Sequence, residues 1–199
     1  MSHLRQATGA GVQGPARECV PEPLTRLADG EDMTAPGLRF PALDIPGRTA
    51  GPIACDCMHR DGAPLPVYGE TLFSGGCARL FDETSAQMPS SAGKLAAAPG
   101  STRVCCTHEY TLGSLKFARA VEPNNNGTVR YVQRCEELRA QDLPTLPSTI
   151  ENEEEERINP FLRMRPSGAA QVKRAHDGAT RRDDVAVFAT LRQWKNEFK

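Results

Sequence analysis

His108 is the residue whose neighbours best fit it for chemistry. It follows the short apolar run Val104-Cys105-Cys106, and Glu109-Tyr110 lead from it into an amphipathic stretch. A side chain where a strand ends and a helix is about to begin serves a site more readily than a core. An imidazole there can ligate a metal or act as a base, although a lone histidine is more often a satisfied polar residue. As a base it would need a nucleophile such as Cys105 or Cys106. Both cysteines fall on strand positions, and Glu109 is the only orienting acid in view, so no catalytic residue is assigned. The second candidate is basic. Arg192 and Lys195 lie one helical turn apart, so both can reach one anion, though exposed basic residues on helices are ordinary.

The other reactive side chains read as structural. Seven cysteines, an odd number in a chain of 199 residues, do not suggest a disulfide framework. Cys55-x-Cys57 and Cys105-Cys106 are too closely spaced for a zinc knuckle, so reduced, mostly buried thiols are expected. His59 and His176 sit in turn-rich polar segments. The acidic run Glu151 and Glu153–Glu156 reads as a solvated helix face near the positive end of a helix dipole.

Positioning these groups requires a strand-rich front and a helical back. The front offers a helix tail at Leu4–Thr8 ending at Gly9, and short strands at Ala10–Gly14, Leu38–Ile45, Ile53–Cys57, Pro66–Tyr68 and Thr102–Cys106. Pro41 predicts an edge position for the second of these. Behind Tyr110 the apolar spacing predicts helices over Leu112–Val121, Thr128–Gln141, Ile150–Arg157 (capped by Ser148 or Thr149) and Asp183–Phe198. In the last, Val185, Phe188, Leu191 and Trp194 are expected to face inward. Gln171–Arg182 is polar and reads as a mobile loop. A net charge of −1 gives no global attraction to nucleic acid or anionic membrane. No apolar run approaches the roughly 20 residues needed to span a bilayer, and MSHLRQATGAG lacks the apolar core of a secretory signal, so a soluble cytoplasmic protein is expected.

Several blocks, in order, resemble glyoxalase II, the hydroxyacylglutathione hydrolases of the metallo-β-lactamase superfamily. Leu4–Glu18 is similar to the helix and strand after that family's first metal motif. DIPGRTAGPI (Asp44–Ile53) resembles its Pro-Gly-His-Thr-x-Gly-His turn, and YGETLFSGGCARLFDET (Tyr68–Thr84) its Gly-Asp-Thr-Leu-Phe block. VCCTHEYTLGSLKFARAVEPN (Val104–Asn124) resembles the His-Glu-Tyr block, and PTLPST, NPFLR and Phe188–Phe198 the C-terminal helices. The resemblance implies an α+β fold: a partial metallo-β-lactamase-like αββα sandwich over residues 1–110 and a helical glutathione-binding domain over 111–199. Family members hydrolyse S-D-lactoylglutathione to lactate and glutathione in methylglyoxal detoxification. Two metal ions, zinc or also iron or manganese, hold the attacking hydroxide.

By the same resemblance His108 matches a metal ligand, and Glu70 stands for a bridging aspartate with one extra methylene. Arg48 replaces a ligand histidine and, always protonated, offers no lone pair. Pro52 replaces the second histidine of that turn, and the family's Thr-His-x-His-x-Asp-His motif would precede Leu4. A front-truncated member is therefore expected, its metals absent or weakly bound and its thioesterase activity impaired. A misassigned start or a non-functional product is a further reading. The glutathione side is better matched: Arg79, Tyr110, Arg192 and Lys195 correspond to substrate contacts, while Phe81 replaces a tyrosine. The alternative function is a metal-free module that binds glutathione, its thioesters or a partner subunit.

Overall fold

The computed structural model describes residues 2–35, 38–46, 51, 53–55, 69–79, 87–154, 158–163 and 184–198. Strands expected at Pro66–Tyr68, the loop Gln171–Arg182, and Arg48, Pro52, His59, Phe81 and His176 lie outside them.

The front opens with helix α1 (Ser2–Thr8), which ends where Gly9 takes a φ of +68°. Strands β1 (Gln13–Pro15) and β2 (Thr25–Leu27) pair in parallel. Strands β3 (Asp32–Ala35), β4 (Leu38–Asp44) and β5 (Ile53–Cys55) form an antiparallel sheet in that order. The edge position predicted from Pro41 is therefore corrected, because β4 is the middle strand. Its pairing is split, however: residues 38–41 face β3 and residues 42–44 face β5. Pro41, which has no amide hydrogen, sits where one ladder hands over to the other, so the missing donor interrupts neither.

A tight hairpin follows, β6 (Leu72–Phe73) and β7 (Gly76–Cys77), with Gly75 at φ +70° in its turn. Helix α2 (Met88–Ala96) buries Met88, Ala92 and Leu95. Strand β8 (Arg103–Val104) leads to helix α3 (Thr111–Val121) and then α4 (Asn126–Ala140). The latter begins two residues before the expected Thr128, because the Asn125 side chain accepts from the amides of Gly127 and Thr128 at 3.0 and 3.2 Å. Strand β9 (Ser148–Thr149) returns to pair antiparallel with β8, so sheet and helices are stitched together across residue 110. Helices α5 (Ile150–Glu154) and α6 (Asp184–Glu197) complete the described chain.

One core joins front and back: Ile45, Leu72, Met88 and Val104 pack with Phe117, Ile150, Phe161, Phe188 and Leu191. Phe117 is its hub. The ring lies 6.0 Å from Phe161, stacked, and meets Trp194 edge-on at 5.2 Å, arrangements that suit the ring quadrupoles. The inward face of α6 differs from the expectation at one end. Phe188 and Leu191 are buried and Trp194 is half-buried, but Val185 is exposed, and Val187 and Arg192 are buried instead. Among the described residues, no helix is long and apolar enough to cross a membrane.

Candidate functional site

The loop between β8 and α3 and the turn before β6 are tied together by their backbones. The Thr107 amide donates to the Gly69 carbonyl at 3.3 Å, and Gly69 adopts a φ of +54°. This brings His108 beside Glu70, with 3.4 Å between Nε2 and Oε1. Tyr110 stacks on the imidazole at 5.2 Å and 23°, and Phe73 meets the tyrosine edge-on at 5.3 Å. Both His108 and Tyr110 are exposed toward a cavity of about 850 Å³. Volumes of a few hundred to about 1,000 Å³ suit a small organic ligand.

Hairpin β6–β7 forms the next wall. Its position is fixed from behind by two buried polar side chains of the helical part. Glu153 Oε2 accepts from the Gly75 amide at 2.8 Å, and its Oε1 accepts from Ser148 Oγ at 2.5 Å. Asn159 Nδ2 donates to the carbonyls of Phe73 and Gly76 at 3.3 and 3.1 Å, and to Glu153 Oε2 at 3.0 Å. The expectation of a wholly solvated acidic run is thus corrected at Glu153, which is fully buried. A carboxylate is stable there because backbone and side-chain donors converge on it. Burial nevertheless pushes its pKa up, against the lowering influence of Ser148, Gly75, Ser74 and Asn159.

Helix α6 supplies the cations. Arg192 is 5% exposed, and its Nη1 donates to the carbonyls of Cys77 at 2.9 Å and Ala78 at 3.2 Å. It therefore clamps the end of the hairpin as well as lining the cavity. One turn on, the Lys195 Nζ donates to Ser114 Oγ at 3.1 Å. Its ammonium lies 5.8 Å from the ring centre of Phe117 and 5.5 Å from that of Phe161. Gly76 makes the room: a Cβ there would fall within 3 Å of both Lys195 Nζ and Ser114 Oγ. Burial pulls the lysine down to about 8, and Arg192 acts in the same direction. A Cys77 thiolate would oppose this, but burial pushes that thiol up and keeps it protonated.

All six residues singled out from the sequence, Glu70, Arg79, His108, Tyr110, Arg192 and Lys195, line this one cavity. Ser114, Glu109 and Arg139 line it too; the sequence reading picks out Glu109 only as an orienting acid and the other two not at all. Ser114 sits four residues past the N-cap Tyr110, on the buried face of α3; that spacing is a usable signal. Arg139 had no sequence signal, since it reaches the cavity only through the packing of α4 on α3. Glu70 and His108 form a pair, and among the described residues no group of three or more His, Cys, Asp or Glu side chains is placed to hold an ion. Two-metal hydrolysis needs four or five ligands per ion, which this pair does not supply.

Comparison with known proteins gives a consistent result. A family model described as "Hydroxyacylglutathione hydrolase C-terminus" matches residues 109–198. A hydroxyacylglutathione hydrolase of Albidiferax ferrireducens is 55% identical over 195 residues, covering 98% of this chain and 75% of that protein. The Cupriavidus taiwanensis protein of the same name is 45% identical over 202 residues, covering all of this chain and 75% of the relative. Among solved structures, a metallo-β-lactamase from Staphylococcus aureus superposes with a TM-score of 0.56 at 13% identity, covering 97% of this chain and 52% of the other. ETHE1 from Myxococcus xanthus gives 0.55 at 19% identity, covering 96% and 69%. At such identities these two show the fold alone, a metallo-β-lactamase-like α+β arrangement with a helical C-terminal part.

Proposed function

The chain belongs to the hydroxyacylglutathione hydrolase family, and from that premise we propose that its cavity binds the glutathione portion of S-acylglutathione thioesters while the chain turns them over slowly or not at all. In this reading residues 1–110 are the metallo-β-lactamase-like part, residues 111–199 are the helical glutathione-binding part, and the cavity draws on both. The cytoplasm, where glutathione is abundant, is the proposed compartment, with no nucleic acid or membrane as partner.

The observation that carries the binding reading is Lys195. Its side chain is half-buried, its hydrogen-bond partner is the neutral Ser114 hydroxyl, and no carboxylate among the described residues lies within ion-pair distance. A partly desolvated cation without a counter-ion carries a cost. An anionic ligand entering the cavity offsets that cost, and the glycine carboxylate of glutathione is such a group. Arg192 holds the hairpin against the helix and adds positive potential, and Arg79 and Tyr110 offer a second cation and a phenol at the more open side.

Slow turnover follows from the donor set. Glu70 and His108 are two of the groups a binuclear centre would use, and the sequence has Arg48, which cannot donate a lone pair, where the family's pattern has histidine. Purified protein saturated with zinc or iron should hold less than two tightly bound equivalents and hydrolyse S-D-lactoylglutathione weakly. Two equivalents retained after chelation, with rapid thioester loss, would overturn this half of the reading. The alternative role, a metal-free glutathione or thioester-binding subunit, is what remains when binding persists without turnover.

A further inference from the structure

The cavity is not electrically uniform, and its second polar end matches a part of the ligand that Lys195 and Arg192 cannot serve. Glu109 precedes Tyr110 on the loop before α3, and Arg139 stands in the last turn of α4, where the negative helix end favours a cation. The two side chains pair on the wall of the cavity, with 3.9 Å between Nε and Oε1. Each is held from behind. The Thr145 amide donates to Glu109 Oε1 at 3.3 Å, and Arg139 Nη1 donates to the Leu143 carbonyl at 3.1 Å. They remain 33% and 44% exposed, so as a structural ion pair they contribute little.

Glutathione has an anionic glycine carboxylate at one end and an α-amino acid head at the other, where a carboxylate and an ammonium sit on one carbon. The α6 side of the cavity offers the less exposed cations Arg192 and Lys195. The more exposed Glu109–Arg139 pair presents one anion and one cation, side by side and anchored. We propose that Arg139 and Glu109 are a specificity subsite for the γ-glutamyl head of glutathione, with Arg139 meeting the α-carboxylate and Glu109 the α-ammonium. This rests on the cavity being a glutathione site and adds which end of the ligand points outward. At 3.9 Å the pair is at the limit of a direct ion pair, so a zwitterion can exchange one weak contact for two charge-assisted ones.

Three peptides separate the ends: glutathione, cysteinylglycine (no γ-glutamyl head) and γ-glutamylcysteine (no glycine). Calorimetric titrations in reductant compare the natural chain with Arg139→Gln and Lys195→Gln. Arg139→Gln should weaken glutathione and γ-glutamylcysteine about five- to tenfold and leave cysteinylglycine within twofold. Lys195→Gln should weaken glutathione and cysteinylglycine and spare γ-glutamylcysteine. Arg139→Lys, which keeps the charge, should recover part of the loss. If Arg139→Gln leaves glutathione unchanged, or weakens cysteinylglycine equally, the subsite assignment fails while the glutathione site stands. Failure of the natural chain to bind glutathione at all removes the site itself and this assignment with it.

Discussion

Glu153 and Gly75 are joined by a buried hydrogen bond of 2.8 Å that fastens the helical part of the chain to the turn of hairpin β6–β7. The same hairpin ends in the carbonyls of Cys77 and Ala78, which Arg192 grips from α6. The wall of the cavity is therefore set from two directions, by a carboxylate behind the turn and a guanidinium beyond it. Loss of either should loosen the platform on which Lys195 and Ser114 meet.

Glu153→Ala should be one of the more damaging single changes. It leaves the Gly75 amide, the Ser148 hydroxyl and one Asn159 contact without their acceptor in a dry interior. Unsatisfied buried donors cost about 1–3 kcal/mol each, so a total loss of about 2–4 kcal/mol is expected, allowing for relaxation. Urea unfolding measures it; a loss under about 0.5 kcal/mol would show that the network is not formed.

The protonation of Glu153 gives a signed pH dependence. Burial raises its pKa in the folded state above the ordinary 4.5. The folded chain therefore holds that proton more tightly than the unfolded one. Its contribution to stability is fully present below the unfolded value and is lost as pH rises through the folded value. The difference in urea midpoint between the natural chain and Glu153→Gln, followed from pH 4.5 to 8, should shift in the variant's favour as pH rises. A pH-independent difference would contradict the assignment.

Gly76→Ala tests the packing of the basic site without removing a charge. The added methyl would collide with Lys195 Nζ and Ser114 Oγ. The lysine tip can move and the serine has less freedom, so the lysine should be displaced. Affinity for S-methylglutathione should fall about tenfold, roughly 1.4 kcal/mol, while the melting temperature changes by only a few degrees. Unchanged affinity would mean that Lys195 does not hold the ligand from its present position.

Ligand affinity should also depend on the charge of Lys195. Its pKa is depressed to about 8, so below that pH the side chain is an ammonium able to pair with a carboxylate, and above it the pair weakens. S-methylglutathione, which has no free thiol to titrate, should bind progressively less well from pH 7 to pH 9. Lys195→Arg, permanently charged, should flatten the profile. A flat profile in the natural chain would remove the lysine from the binding interaction.

Much of this was readable from residue order, for identifiable reasons. The helices behind Tyr110 announce themselves by apolar spacing, and the His-Glu-Tyr and Arg-x-x-Lys patterns single out side chains that do meet at one cavity. Helix α2 went unnoticed because Pro89, Ser90, Ser91 and Gly93 have poor helix propensity, yet Met88, Ala92 and Leu95 carry the spacing of a buried stripe. Glu153 was hidden in its own company. A run of glutamates reads as a solvated face, and only the folded hairpin reveals that one of them points inward. Arg139 and Glu109 are equally invisible as a pair, since the whole of α3 and most of α4 separate them in sequence and tertiary packing brings them together.

The most direct test is a single calorimetric titration of S-methylglutathione into the natural chain and into Lys195→Gln at pH 7. A saturable isotherm with one site per chain is expected, with a Kd below about 1 mM, weakened at least tenfold in the variant. No heat from the natural chain at millimolar ligand, or equal affinity in both proteins, would contradict the assignment of this cavity to glutathione.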